Sequence, residues 1–216
     1  MTGISYEYCA ANPEASHTLL FPIVSRLVAD VPQGASVLDL GCGTGRLLAR
    51  LQHRGGGRLT GLELDEQKIG GALQRNLDVI QADLNEGLQT FADQQFDCVV
   101  LSQTLQAVRD VEGVMAEMLR VGNLVIVSFP NLAFYKLRHM LAVEGRAPRA
   151  YGWLRDKWYD TADIRIFSIA DFEDFCVEKN LHIEHRITLD TETGAEITDD
   201  ANLHADLAIF VLRRAG

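Results

Sequence analysis

VLDLGCGTGRLL, residues Val37–Leu48, sets glycines at positions 41, 43 and 45 between an apolar run and an apolar helical pattern. Val37–Leu40 reads as a buried strand, and Arg46–Gln52 as a helix that stops at Gly55, Gly56 and Gly57. A strand-to-helix turn made of glycines lets a ligand approach the backbone closely. The helix start adds free N–H groups and a positive dipole end. A dinucleotide fingerprint asks for G-x-G-x-x-G, and Arg46 stands where its third glycine belongs. The pattern present is Asp39-x-Gly41-x-Gly43-x-Gly45, with Cys42 inside the turn.

Outward from this turn, β-rich runs alternate with helical patterns. RLTGLEL (58–64), LDVIQAD (77–83), FDCVVLS (96–102) and NLVIVSF (123–129) read as further strands. Glu66–Arg75 reads as a helix weakened by Gly70 and Gly71, each costing about 1 kcal/mol against alanine. Val111, Val114, Met115, Met118 and Leu119 share one face of another helix. Short alternating units of this kind imply a parallel sheet with right-handed crossovers. Near the end of the chain, Ser168 caps a helix with Asp171 three residues on, and Phe172, Phe175 and Cys176 form its apolar stripe. LHIEHRITL and DLAIFVLRR then read as an antiparallel pair joined by an acidic loop over 190–205. His182 and His185, three apart in a strand, are expected on opposite faces.

The expected fold is therefore α/β and Rossmann-like. It has a seven-stranded, mostly parallel sheet, a C-terminal antiparallel pair and helices on both faces. One domain spans 1–216, with a cap or insert at about 130–161. The chain has 216 residues, 47% of them apolar, enough for a substantial core. A net charge of −10 argues against a phosphate-backbone binder, so no nucleic acid is expected. No apolar run reaches the ~18 residues of a membrane span, and the start of the chain does not read as a signal peptide. Cys9, Cys42, Cys98 and Cys176 are widely spaced, which suggests neither a disulfide framework nor a zinc site. These points together read as a cytoplasmic protein with no metal and no membrane partner.

The acid-plus-glycine turn resembles motif I of the class I S-adenosylmethionine (SAM) methyltransferases. Glu63, followed by Leu64, ends the second strand 18 residues after Gly45 (63 − 45), where a carboxylate can accept from ribose hydroxyls. The resemblance implies that Asp83 and Leu84 hold the adenine and that Ser102 and Gln103 lie beside the methionine part. All four positions fall at strand C-terminal ends, the rim where open α/β sheets bind ligands. The implied cofactor is SAM or S-adenosylhomocysteine (SAH), and carboxylates suit a sulfonium charge. The Asn/Asp-Pro-Pro-aromatic motif of amino-methylating nucleic-acid enzymes is absent after the fourth strand, where the chain reads LSQT.

The segment 130–160 holds both tryptophans, Trp153 and Trp158, with Phe134, Tyr135, Tyr151 and Tyr159. In an acidic protein it is locally basic, carrying Lys136, Arg138, Arg146, Arg149, Arg155 and Lys157. Such a surface suits an anionic ligand or a partner, or packs down as a lid. Tyr135, Trp153, Trp158, Tyr159 and Arg165 are the candidates for contacting a substrate or partner. VVLSQTLQAVRD, EMLRVG, IVSFPN, KWYDT and FSIADFEDFC together resemble the methionine biosynthesis protein MetW family over roughly residues 19–190. That resemblance implies a SAM-methyltransferase-like sheet and a role supporting homoserine O-acyltransferase as an accessory subunit. A working small-molecule methyltransferase is the alternative, with no catalytic residue assigned. The chain departs from the family at Phe134-Tyr135 and at Ala162–Ser168, where a partner or acceptor would touch.

Overall fold

A computed structural model describes residues 22–28, 34–55, 57–147 and 164–214. Its centre is one sheet of eight strands in the order β3-β2-β1-β4-β5-β8-β6-β7. The first five are β1 (Val37–Leu40), β2 (Leu59–Glu63), β3 (Asp78–Gln81), β4 (Phe96–Ser102) and β5 (Gly122–Pro130). All of these run parallel, with β1 in the middle between β2 and β4. β6 (Leu181–Asp190) and β8 (Leu207–Arg214) form the antiparallel pair, and β8 lies against β5. The eighth strand is β7 (Ala195–Glu196), two residues of the acidic loop that add to the edge of β6.

The strand sequences explain their placement. β1, β2, β4 and most of β5 are buried along their length, as expected of strands covered on both faces. On one face, Leu38, Leu40, Val99, Leu101, Val127, Phe129 and Phe210 meet α4 (Val111–Val121) and α6 (Ile169–Glu178). On the other, Val37, Cys98, Val100, Ile126 and Ile209 meet α1 (helical residues 22–28), α2 (Arg46–Gln52) and α3 (Glu66–Leu73). The Phe129 ring lies 4.7 Å from Phe167, 4.8 Å from Phe172 and 5.7 Å from Phe210. Each such buried side chain contributes roughly 1.5–3 kcal/mol.

α6 starts with the expected capping box. The Ser168 hydroxyl accepts from the Asp171 N–H, and the Asp171 carboxylate accepts from the Ser168 N–H. Next to it, the fully buried Asn131 ties three segments together. Its Nδ2 donates to the Asn202 and Ala205 carbonyls, and its Oδ1 accepts from the Ala133 and Ile169 N–H groups.

One feature differs from the reading of the sequence. β6 carries a bulge between Ile183 and His185, so His182 pairs with Arg213 and His185 with Val211. Residues 211 and 213 share a face, so the extra residue turns the two histidines to the same side, not to opposite ones. The first part of the 130–161 segment is helical. α5 (Tyr135–Ala142) follows β5 directly, with Leu137 its buried residue. The short α7 (Ala201–His204) completes the elements. Among the described residues, no helix is long and apolar enough to cross a membrane.

Candidate functional site

The glycine turn sits at the C-terminal end of β1 and is pinned to β2. The N–H groups of Gly41 and Cys42 both donate to the Leu62 carbonyl, at 2.8 and 3.0 Å. Gly41, Gly43 and Gly45 all adopt positive φ, at 69°, 57° and 74°. Gly45 is excluded from substitution by its neighbours as well. A Cβ there would lie 2.3 Å from Leu77 Cδ1 and 3.1 Å from Ala72 Cβ, so it sets the approach of α2 to the β3 side. A Cβ at Gly43 would meet open space. That is the close-approach position, where the backbone itself faces a cleft.

Glu63 closes the turn from the next strand. One carboxylate oxygen accepts from the Gly43 N–H at 2.8 Å, and the other from the Leu64 and Asp65 N–H groups at 2.9 and 3.0 Å. Asp39 is buried in β1, and burial together with the nearby Glu63 carboxylate pushes its carboxyl up to about 8. Cys42 is buried too. Burial, then Asp39 and Glu63, push its thiol up to about 12, which removes it as a nucleophile at neutral pH.

The opposite wall comes from β3 and β4. Asp83 caps the short turn Leu84–Glu86 two residues beyond β3, accepting from the Asn85 N–H at 2.9 Å and from Asn85 Nδ2 at 2.7 Å. Those bonds hold its carboxyl below the usual range. Gln103 follows β4 with a φ of 56°, unusual for a residue with a side chain. It is held there because its N–H donates to the Ser128 carbonyl at 2.9 Å and its own carbonyl accepts from Gln106 Nε2 at 2.9 Å.

These walls enclose a cleft of about 690 Å³. Of the residues singled out in the sequence, Gly41, Gly43, Glu63, Leu64, Asp83, Leu84, Ser102 and Gln103 line it together. Asp39, Cys42 and Gly45 do not line it; they shape the turn from behind. Residues that the sequence reading passed over also line it, including Asp65, Lys68, Asn85, Thr104 and Ala107. Asp65 had a readable signal, being the N-cap of α3, whose side chain accepts from the Gln67 and Lys68 N–H groups. Thr104 had none, because it is brought in by its packing against Gly41.

The cleft suits the cofactor implied by motif I. It is of small-molecule size, it has an open backbone position at Gly43, and Glu63, Asp65 and Asp83 face the single cation Lys68 among its described lining residues. Such a charge balance favours a cationic ligand.

Of the partner candidates, Arg165 and Tyr135 do not line this cleft. Arg165 lines a second cavity of about 430 Å³, between α4 and α6, with Arg109, Phe167, Phe172 and Phe175. Its Nε donates to the Val108 carbonyl at 3.3 Å and its Nη2 to the Arg109 carbonyl. Tyr135 is exposed at the start of α5, its ring 6.1 Å from that of His204. Trp153, Trp158 and Tyr159 lie outside the described residues, as does Cys9. Among the described residues no cluster of three or more His, Cys, Asp or Glu is arranged to hold a metal.

Comparison with known proteins agrees with this architecture. The bifunctional methionine biosynthesis protein MetXA/MetW of Rhodopirellula baltica is 42% identical over 194 residues, covering 85% of this chain and 31% of that protein. Demethylmenaquinone methyltransferase of Thermobifida fusca is 35% identical over 122 residues, covering 52% of this chain and 51% of that one. The chain thus spans only a third to a half of the length of these relatives. Among solved structures, the magnesium protoporphyrin IX methyltransferase of Synechocystis with bound SAH superposes with a TM-score of 0.66, at 17% identity, over 100% of this chain and 90% of that one. That likeness establishes the class I methyltransferase fold. The family described as methionine biosynthesis protein MetW matches residues 21–212, nearly the whole chain, and this protein belongs to that family.

Proposed function

We propose that this protein serves methionine biosynthesis as an accessory subunit that binds and supports a homoserine O-acyltransferase, with SAM or SAH held in the cleft over the glycine turn. The observation that carries this reading is the match to the MetW family, joined to a relative in which a MetW part and a MetXA part share one chain. Two activities fused in one protein act at high effective concentration, and in separate chains the same pairing needs a docked complex. Bound SAM, a downstream product of methionine, would then act as an input to the acyltransferase.

Within the cleft the residues have distinct tasks. Glu63 holds the turn through Gly43 and presents its carboxylate at the end of β2. Asp83 and Leu84 offer an acid and a backbone edge at the end of β3, and Ser102 and Gln103 close the β4 side. Bound SAM would supply an electrophilic methyl group on a sulfonium.

A second reading, methyl transfer to a small molecule, draws on the same cleft. In-line displacement depends chiefly on positioning, and a base is needed only where the acceptor must lose a proton. Glu63, Asp65, Lys68 and Asp83 are the titratable groups among the described lining residues, and all come from the β2 and β3 ends of the cleft. That placement favours a binding site over an acid–base centre.

The test is to assay homoserine O-acyltransferase with and without this protein, and to ask whether the two co-purify. Stimulated activity and co-purification support the accessory role. Activity indifferent to the added protein refutes it. Transfer of labelled methyl from SAM into a metabolite pool would favour the second reading.

A further inference from the structure

Asp39 and Glu63 occupy the same face of the sheet on adjacent strands. Asp39 pairs with Gly61 on β2 and Val100 on β4, and Glu63 stands two residues beyond Gly61. Both carboxyls are nearly dry, 3% and 8% exposed. Their surroundings differ. Glu63 accepts three backbone N–H groups, from Gly43, Leu64 and Asp65.

The titratable groups that act on or sit around Asp39 are Glu63 on β2, Cys42 in the turn and Cys98 on β4. Burial pushes both thiols up, so they are neutral. α2 presents Leu47, Leu48 and Leu51 to this side of the sheet. The influences on Asp39, burial first and Glu63 second, both favour the protonated acid. Two carboxyls thus stand on one face of adjacent strands behind the cleft, and of the two it is Glu63 that accepts from backbone donors.

We propose that Asp39 lets this cleft tell a cationic adenosyl ligand from a neutral one, by giving up its proton when the ligand brings in a positive charge. This rests on the cofactor reading above. SAM carries a sulfonium and SAH carries a thioether; they are otherwise alike. When SAM enters, the carboxylic acid of Asp39 becomes a carboxylate, one proton passes to solvent, and the sulfonium balances the new charge. When SAH enters, nothing compensates a second carboxylate beside Glu63, and Asp39 keeps its proton. The site then reads the ratio of SAM to SAH, in a manner set by pH.

Calorimetry on the full chain tests this. At pH 6.5, below the range where an α-amino group titrates, binding is measured in buffers of different ionisation heat. The expected result is close to one proton released per SAM and none per SAH. Between pH 6 and pH 7 the preference of the wild-type protein for SAM over SAH should rise about tenfold, the value for one linked proton. Asp39→Asn should bind SAM without proton release and lose that pH-dependent preference. Equal proton counts for the two ligands, with a preference that does not move with pH, would overturn the inference while leaving the cofactor reading intact. No heat from either ligand up to millimolar concentration would overturn both. The wild-type measurements decide the matter even if the variant does not fold.

Discussion

Two aspartates near the same rim of the sheet, Asp39 on the central β1 and Asp206 beside the end of β5, are equally buried and behave differently. Asp206, just before β8, accepts from the Thr191 N–H at 2.8 Å and from the Thr191 hydroxyl. Burial pushes its carboxyl up, the Thr191 bonds pull it back, and it settles at about 6. Asp39 has burial and Glu63 acting in the same direction and reaches about 8. The comparison separates a carboxyl that is part of the architecture from one that is not. At the Asp206 corner, Thr191 satisfies the acid, while backbone bonds of Asp206 to Asn131 and Leu189 tie it to the ends of β5 and β6. Behind the cleft, burial and the Glu63 carboxylate act on Asp39 with no described residue pulling the other way. Polar groups whose environment is incomplete without a ligand mark functional sites more reliably than buried polar groups in general.

The sharpest way to break the comparison is the pH dependence of stability. A folded carboxyl held above its unfolded value of 3.8 keeps a proton that the unfolded chain has released. Stability therefore falls as pH rises through that window, by up to about 1.4 kcal/mol per pH unit for each group. For Asp39 the window runs from about 4 to about 8, and for Asp206 it closes near 6. Urea midpoints between pH 6 and 8 should fall for the wild type and flatten in Asp39→Asn. Asp206→Asn should leave the slope above pH 6 unchanged. Equal slopes in wild type and Asp39→Asn would remove the distinction.

Next in size is Asn131→Ala, which strips four hydrogen bonds from the architectural corner. Its expected cost is about 3 kcal/mol of stability, measured by urea unfolding, with SAM affinity in the folded protein unchanged. A cost under about 1 kcal/mol would mean that the corner is held by packing alone. Glu63→Ala should do the reverse. It releases Gly43 from its anchor and should weaken SAM binding by on the order of a hundredfold, about 2.7 kcal/mol, as read by calorimetry. Unchanged affinity would refute the cleft assignment. The smallest effect is expected of Gly43→Ala. The site has room for a methyl group but a positive φ, so the stability cost is about 1 kcal/mol. The added methyl group should still lower ligand affinity, because it stands where the backbone meets the cleft. A full retention of affinity would show that the ligand does not approach Gly43.

Much of this molecule was readable residue by residue. Val37–Leu40, Arg46–Gln52 and Phe96–Ser102 fall where periodicity and the glycine stops put them, since buried parallel strands and helix breakers leave local marks. The Ser168–Asp171 capping box is likewise a local pattern. Eight of the residues expected around the cofactor do meet in one cleft, because strand C-terminal ends in a parallel sheet converge on one rim. The fold class, the glycine turn and the family resemblance were thus determined by sequence alone.

Tertiary structure decided the rest. The bulge that turns His182 and His185 to one side depends on the pairing of β6 with β8. The helical form of Tyr135–Ala142 and the entry of Thr104 into the cleft depend on packing against distant residues. The contrast between Asp39 and Asp206 arises in the same way. Both are aspartates beside apolar runs, and nothing local distinguishes them. Only the folded chain shows that Thr191 reaches one of them and Glu63 faces the other, because the charge state of a buried acid is set by neighbours brought close through space.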